Sequence, residues 1–295
     1  MRIYIAGGGG MLGDAVYKHF YLKGHDLDVT DIKPTEAYID QFDVRDYHAQ
    51  NGRISYFRPR VIINLAALTD LEYCEGHAQE AMDTNCGGSA NLAALSQKFG
   101  ARYVYISTAG IFDGLQNEYS EYDTPNPLSI YGKAKYYGEL IALSIPGAIV
   151  LRPGWMMGGG PSKDKKFINK IYQQLLSGKR DLRAVADKCG TPTYTVDLAK
   201  QIDKLLSTPN ISGLFNCTCL GSTNRYEVAQ EFLRLMDVQN AKLELVTSDY
   251  FKDAYHAPRP ASEVLRAVQL DVSGLNIMRD WKECLAEYVK EFPKL

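Results

Sequence analysis

The chain has 295 residues, 45% of them hydrophobic and 23% charged, with 33 Lys+Arg against 35 Asp+Glu for a formal charge of −2. That length buries a sizeable core, in one large domain or one domain with a smaller lobe. The near-neutral charge, without a long basic run, argues against a nucleic-acid partner, and the lack of any run of about eighteen apolar residues rules out a spanning helix.

Taken in chain order, Ile3, Ile5 and Ala6 predict a short first strand, followed at once by four glycines, Gly7 to Gly10. Leu12, Val16 and Phe20 then recur every four residues, as one face of a helix does. A second strand over 27–30 ends in Asp31, and strands over 61–65, 103–107 and 148–151 alternate with helices through 90–99 and around 131–143. The runs VIINLAA and YVYIS are near-continuously apolar, as parallel strands covered on both faces are. The alternation predicts an α/β fold, a Rossmann-type doubly wound parallel sheet. Between the last two elements, 109–129 carries Pro125, Pro127, Gly110 and Gly114 and predicts a long loop, which in compact domains is usually functional. After Arg152 the rhythm breaks at Pro153-Gly154 and Gly158-Gly159-Gly160-Pro161. Residues 1–152 are therefore assigned to the sheet domain, with 181–210 returning to it, and 153–295 mainly to a smaller C-terminal lobe that binds substrate.

Gly7, Gly10 and Gly13 are spaced GxxGxxG directly after the first strand and open a helix. That placement suits a tight turn, close approach of backbone to a pyrophosphate, and a helix N-terminus aimed at the anion. Met11 and Leu12 belong to the same cofactor turn, while Gly8 and Gly9 fill its variable positions. Asp31, eighteen residues after Gly13, can accept hydrogen bonds from the adenosine ribose hydroxyls and would repel a 2′-phosphate. It favours NAD(H) over NADP(H), although an Asp in TDIKP also suits a turn or helix cap. Asp43 and Val44 either flank the adenine or end a strand.

Tyr131 and Lys135 stand four apart in YGKAK, which puts phenol and ammonium on one helix face. A nearby ammonium favours the phenolate and so makes the Tyr a usable acid–base. The Lys can also hold the nicotinamide ribose. Ser107-Thr108 ends an apolar strand, so a hydroxyl projects from a strand's carboxyl end, where open α/β sheets bind ligands.

These motifs carry a resemblance. GGGGMLG, VIINLAALTDLEYCE, TNCGGSANLA, YISTAGIFDG, PNPLSIYGKAKYYGE, LRPGWMMG, CGTPTYTVDLA and APRP are similar, in this order and over nearly the whole chain, to the extended short-chain dehydrogenase/reductase family. The likeness is greatest to its dTDP-4-dehydrorhamnose reductase branch of nucleotide-sugar enzymes. The resemblance implies that Thr108, Tyr131 and Lys135 form the catalytic triad, that Ala66 and Ala67 line the cofactor site, and that Trp155 lies in the substrate pocket. It implies a nucleotide-sugar substrate held by the lobe after Arg152. It also implies a homodimer formed through helices over 77–99 and 129–143. The chain departs from the branch at one place: Ser107-Thr108-Ala109-Gly110 stands where the branch typically has Ser-Thr-Asp-Tyr. Related 4,6-dehydratases use an acid–base pair directly after the Thr, and Ala109 and Gly110 cannot transfer protons.

The expected activity is reduction of a nucleotide-activated 4-keto deoxysugar by NAD(P)H. An epimerase with tightly held NAD uses the same triad, and a regulatory NAD(P)-binding subunit without catalysis would keep the fold. Trp155 suits either a pocket or a core. Arg259, between two prolines, either reaches the substrate phosphates or closes a loop. Lys163, Lys165, Lys166 and Lys170 read as a solvated, Asp164-interrupted segment. Cys74, Cys86, Cys189, Cys217, Cys219 and Cys284 show no CxxC spacing, and Met1 to Gly13 show no signal-peptide pattern, so reduced thiols of a cytoplasmic protein are expected. The five histidines form no metal-ligand spacing, and no protein-held metal is expected.

Overall fold

Successive side chains of a strand point to opposite faces, so a strand covered on both faces must be apolar throughout. The computed structural model of the chain describes residues 1–294. In chain order its elements are β1 (Arg2–Ala6), α1 (Met11–Leu22), β2 (Asp26–Asp31), β3 (Ile39–Gln41), α2 (Tyr47–Phe57), β4 (Val61–Asn64), α3 (Leu71–Gly76), α4 (Ala78–Met82), α5 (Gly88–Phe99), β5 (Arg102–Ile106), α6 (Ile130–Leu143), β6 (Ile149–Arg152) and β7 (Trp155–Met157). They continue with α7 (Gly160–Lys163), α8 (Phe167–Leu176), β8 (Asp181–Val185), β9 (Cys189–Gly190), β10 (Pro192–Tyr194), α9 (Thr195–Ser207), β11 (Gly213–Asn216), β12 (Thr223–Asn224), α10 (Arg225–Leu235), β13 (Lys242–Val246), β14 (Ser262–Glu263), α11 (Val268–Val272) and α12 (Trp281–Tyr288).

Seven strands form one sheet in the order β11-β6-β5-β4-β1-β2-β3, every neighbouring pair parallel. The α/β doubly wound architecture expected from the alternation is thus present. Its two faces are read off the strands residue by residue. Ile3, Ile5, Val61, Ile63, Val104, Ile106, Ile149 and Leu151 join one core with α1 and α9. Tyr4, Ala6, Ile62, Tyr103, Tyr105 and Val150 join the other, under Ile54, Leu92 and Ala142 of α2, α5 and α6. Each such side chain taken out of water contributes about 1.5–3 kcal/mol, so a one-residue slip of any strand would be strongly opposed.

The chain returns to the sheet after the smaller lobe has begun: α9 packs on α1, and β11 adds to the edge at β6. The rest of 153–294 supplies three small sheets, β10 with β7, β9 between β12 and β14, and β13 with β8. The continuous helix expected over 77–99 is instead α4, a π-helical turn over Asp83–Gly87, and α5. Buried Asn85 lies in that turn and fixes the loop after β4. Its Oδ1 accepts from Leu68 N at 2.8 Å, and its Nδ2 donates to Leu68 O at 3.0 Å. Strand order reverses between β1 and β4, so the carboxyl ends of these strands flank the crevice where open α/β sheets take ligands.

Candidate active site

The glycine turn leaves β1 at that crevice. Gly7 has φ +86°, and a β-carbon there would stand 2.5 Å from the Ala66 backbone nitrogen. Only glycine allows that dihedral and that approach. Gly13 is equally confined, since its β-carbon would meet Gly8 O at 2.4 Å. Gly10 precedes α1 as its N-cap with no side-chain cap, leaving first-turn N–H groups of the helix available to an anion. Gly8 is not a variable position: a β-carbon there would lie 2.2 Å from Val29 Cγ1 of β2. Met11 and Leu12 are buried in the first turn of α1.

Asp31, at the end of β2, reaches the turn directly. Gly9 N donates to its Oδ2 at 3.0 Å and Lys33 N to its Oδ1 at 2.9 Å. Asp43 is engaged by its neighbour: Arg45 Nε lies 2.9 Å and Nη2 2.6 Å from its Oδ2, and this pairing holds the carboxyl below its ordinary range. Val44 is buried, in contact range of a β-carbon at Gly88 and with its carbonyl accepting from Asn91 Nδ2 at 2.9 Å. Ala66 and Ala67 are half-buried in the loop after β4, where Ala66 N donates to Asn64 Oδ1 at 3.1 Å.

Ser107 and Thr108 follow β5. The loop they begin is sewn to β6 and its continuation by Ser107 N to Leu151 O, 2.7 Å, and Ala109 N to Pro153 O, 2.9 Å. Thr108 Oγ1 accepts from Gly110 N at 3.1 Å, which leaves its own hydroxyl hydrogen for another acceptor, the neighbouring Tyr131 phenol or a substrate oxygen. Tyr131 is placed by the start of α6. Ser129 caps that helix by accepting from Gly132 N at 3.1 Å, while Glu75 of α3 accepts from Ile130 N at 2.8 Å. One turn on, Lys135 is 3% exposed. Its Nζ donates to Ile106 O and lies 4.2 Å from the centre of the Tyr105 ring. A further turn on, Glu139 is paired with Arg152 of β6, Nε to Oε2 at 3.0 Å, both buried. This pair ties α6 to the sheet, and breaking such a pair costs about 3–5 kcal/mol.

Burial sets the proton affinities here. It pushes the Tyr131 phenol up to about 12, against the lowering effect of a hydrogen bond from Thr108. It draws Lys135 down to about 7, against the opposing pull of Glu139. The sequence expectation that the ammonium favours the phenolate is therefore not what dominates: Lys135 is turned to the Ile106 carbonyl and the Tyr105 ring, and Thr108 is what lowers the phenol.

The smaller lobe brings three distant residues to the same edge. Trp155 donates from Nε1 to Glu263 Oε2 at 2.7 Å, and the Arg225 guanidinium lies 3.8 Å from the centre of the indole. A β-carbon at Gly190 would meet the indole at 2.5 Å, so β9 packs directly on it. Arg259 is held by Glu72 of α3, with Nη1 2.8 Å from Oε1 and Nη2 2.9 Å from Oε2, and by the Ala257 carbonyl at 2.9 Å. It joins the C-terminal loop to α3. The lysine segment is not simply solvated. Lys163 is 12% exposed at its side chain, within 3.4 Å of Asp14 and 3.2 Å of Glu36, and Lys166 Nζ donates to Thr69 O at 3.2 Å. Glu263 and Arg225 carried no sequence signal, because each meets Trp155 from far away along the chain.

Residues 1–293 match the model of the RmlD substrate binding domain. Among curated relatives, the Bacillus subtilis spore coat polysaccharide biosynthesis protein SpsK is 32% identical over 98% of this chain and 97% of its own length. Methionine adenosyltransferase 2 subunit beta of Danio rerio is 30% identical over 94% and 86%. The solved dTDP-4-dehydrorhamnose reductase of Clostridium acetobutylicum superposes with a TM-score of 0.89 at 34% identity, over 98% of this chain and 99% of that one. That of Bacillus anthracis, solved in complex with NADP, gives 0.88 at 26%, over 99% of both chains. With its glycine turn, its Thr108–Tyr131–Lys135 cluster and a match of this extent, the chain belongs to the RmlD substrate-binding family.

Proposed function

We propose that this chain is an oxidoreductase that reduces the 4-keto group of a nucleotide-activated deoxysugar with NAD(P)H. The observation that carries the reading is the convergence of Thr108, Tyr131 and buried Lys135 at the carboxyl end of β5, with the glycine turn at the end of β1 in the same sheet. The reductase names of the solved relatives support it. The glycine turn suits a dinucleotide, since side chains at Gly7 or Gly13 would collide with backbone and α1 begins without a side-chain cap. A nicotinamide dinucleotide held at the glycine turn would supply the hydride for the sugar carbon.

The chain's own groups do the rest. Thr108, whose oxygen already accepts from Gly110 N, donates a hydrogen bond to the carbonyl oxygen and keeps its proton. Tyr131, half-buried and kept a neutral phenol by desolvation, passes its proton to that oxygen as negative charge develops. Lys135, one turn below, offsets the charge left on the phenol and holds the nicotinamide ribose. Asp31 favours NAD(H) over NADP(H) by like-charge repulsion of a 2′-phosphate, and Trp155 and Arg259 belong to the nucleotide-sugar side.

Replacing Tyr131→Phe tests this reading. NADH oxidation with a 4-keto sugar nucleotide is expected to fall by about 10²–10⁴-fold, the usual worth of a positioned general acid, with NADH binding retained. Unchanged turnover removes Tyr131 from the chemistry. Stoichiometric loss of NADH separates reduction from epimerisation, in which the cofactor is regenerated. A protein that binds NADH and reduces no keto sugar would be a regulatory subunit.

A further inference from the structure

Gly110 marks an opening beside the cluster. A β-carbon built on it would stand 3.4 Å from Glu263 Oε1, 3.5 Å from Thr108 Oγ1 and 3.7 Å from Cε1 of the Tyr131 ring. A carboxylate oxygen brought in from the far end of the chain therefore borders the same small volume as the two groups that hold the reacting carbonyl. Glu263 is fixed there. Its Oε2 is occupied by Trp155 Nε1 at 2.7 Å, its backbone is paired in β14 alongside β9, and it is half-buried. Oε1 has no hydrogen-bond partner among the described residues, so the acceptor nearest to Thr108 and Tyr131 is the one left free. The charge is offset without being quenched. Arg225 lies over the Trp155 ring at 3.8 Å and near the Phe167 ring at 5.1 Å, and makes no ion pair or hydrogen bond among the described residues. An indole, a guanidinium and a carboxylate from β7, α10 and β14 meet here and, among the described residues, leave one carboxylate oxygen unpaired.

We propose that Glu263 contacts the sugar and determines specificity. Its Oε1 accepts a hydrogen bond from a hydroxyl on a carbon next to the reacting carbonyl, with Trp155 and Arg225 as its positioning residues. This rests on the reduction of a keto sugar argued above and adds a substrate class to it. An ionised carboxylate only accepts, so the site takes a sugar that keeps a hydroxyl beside the carbonyl. It rejects one deoxygenated there, or carrying an anionic group there, because a polar group built to be paired is then left unpaired or repelled.

The test compares a nucleotide-linked 4-keto-6-deoxyhexose with its 3-deoxy counterpart, in native protein, Glu263→Gln and Glu263→Ala. It reads kcat/KM with NADH and, independently of turnover, the calorimetric Kd of each sugar nucleotide. The native protein should prefer the 3-hydroxy sugar by about 10- to 100-fold, the worth of one hydrogen bond to a charged group. The preference should shrink to within about threefold in Glu263→Ala and take an intermediate value in the near-isosteric Glu263→Gln, with the Kd for NADH unchanged in both. Both variants keeping the native preference would overturn the role of Glu263 while leaving the reductase reading standing. If native protein reduces neither sugar, the reductase reading falls, and the two Kd values still decide whether Glu263 reads the hydroxyl. If native protein binds neither sugar, both fall.

Discussion

The glycine turn and the wall formed by Trp155, Arg225 and Glu263 lie at the same edge of the fold and work by opposite means. The turn offers backbone N–H groups and keeps side chains out: at Gly7, Gly8 and Gly13 any β-carbon would lie within 2.5 Å of another atom. The wall offers side chains with charge, each placed by another side chain, Arg225 on the indole and the indole on Glu263. A surface that recognises through absent side chains fails sterically and takes the local fold with it. A surface that recognises through placed charges can be altered one group at a time, with the change read as specificity.

That contrast can be broken or sharpened by substitution. The largest effect is expected at the turn. Gly13→Ala drives a β-carbon against Gly8 backbone, an overpacking worth about 1–3 kcal/mol. NADH affinity, followed by fluorescence titration, should weaken by about tenfold or more. Glu263→Gln is the opposite control, with NADH affinity unmoved. Equal losses in the two variants would show that turn and wall are one cooperative unit and not two.

Lys135, between the two regions, should give a pH signature. Its folded-state value is about 7 because it is buried, below that of a free lysine, so between those values the unfolded chain holds more protons than the folded one. The sign follows: stability rises with pH through this window and is lost as pH falls toward 7. Thermal midpoints of the native protein minus those of Lys135→Met should therefore increase from pH 7 to pH about 10. A flat difference would mean that the buried amine is charged throughout. Activity runs the other way, since an ammonium is needed to offset the phenolate, and kcat/KM should decline above pH about 7.

The smallest effect is expected at the outer rim of the turn. Asp31 is only half-buried, so removing its charge should shift the NADPH-to-NADH ratio of kcat/KM by about two- to fivefold, the scale of one charge contact near the surface. Asp31→Ser measured with both cofactors decides it. An unchanged ratio would leave Asp31 as a brace for Gly9 N and Lys33 N.

How much was legible follows from how far apart in sequence the cooperating residues lie. The strand at β1, the GxxGxxG turn and the Tyr131/Lys135 spacing are each contained within about a dozen residues, where periodicity and glycine placement act directly on backbone conformation. The doubly wound sheet could therefore be read from the chain, together with the residues that belong at its carboxyl edge. Gly8 reads as a variable position because what confines it is Val29 of the neighbouring strand, and Lys163 and Lys166 read as solvated because Asp14, Glu36 and Thr69 come from elsewhere, while Lys165 and Lys170 are exposed as expected. Arg259 could be named but not placed, since Glu72 lies 187 residues away.

By itself the sequence determined the alternation of strand and helix, the turn that only glycine can make, and the helical spacing of phenol and amine, all of them short-range backbone effects. Tertiary structure alone decided that Lys135 is buried and near neutral in its proton affinity. It also decided that Thr108, not Lys135, lowers the Tyr131 phenol, and that Glu263 reaches the opening at Gly110 on the arm of Trp155. Burial and long-range pairing belong to the packed chain, because desolvation and hydrogen bonding depend on which surfaces meet and not on which residues are neighbours in sequence.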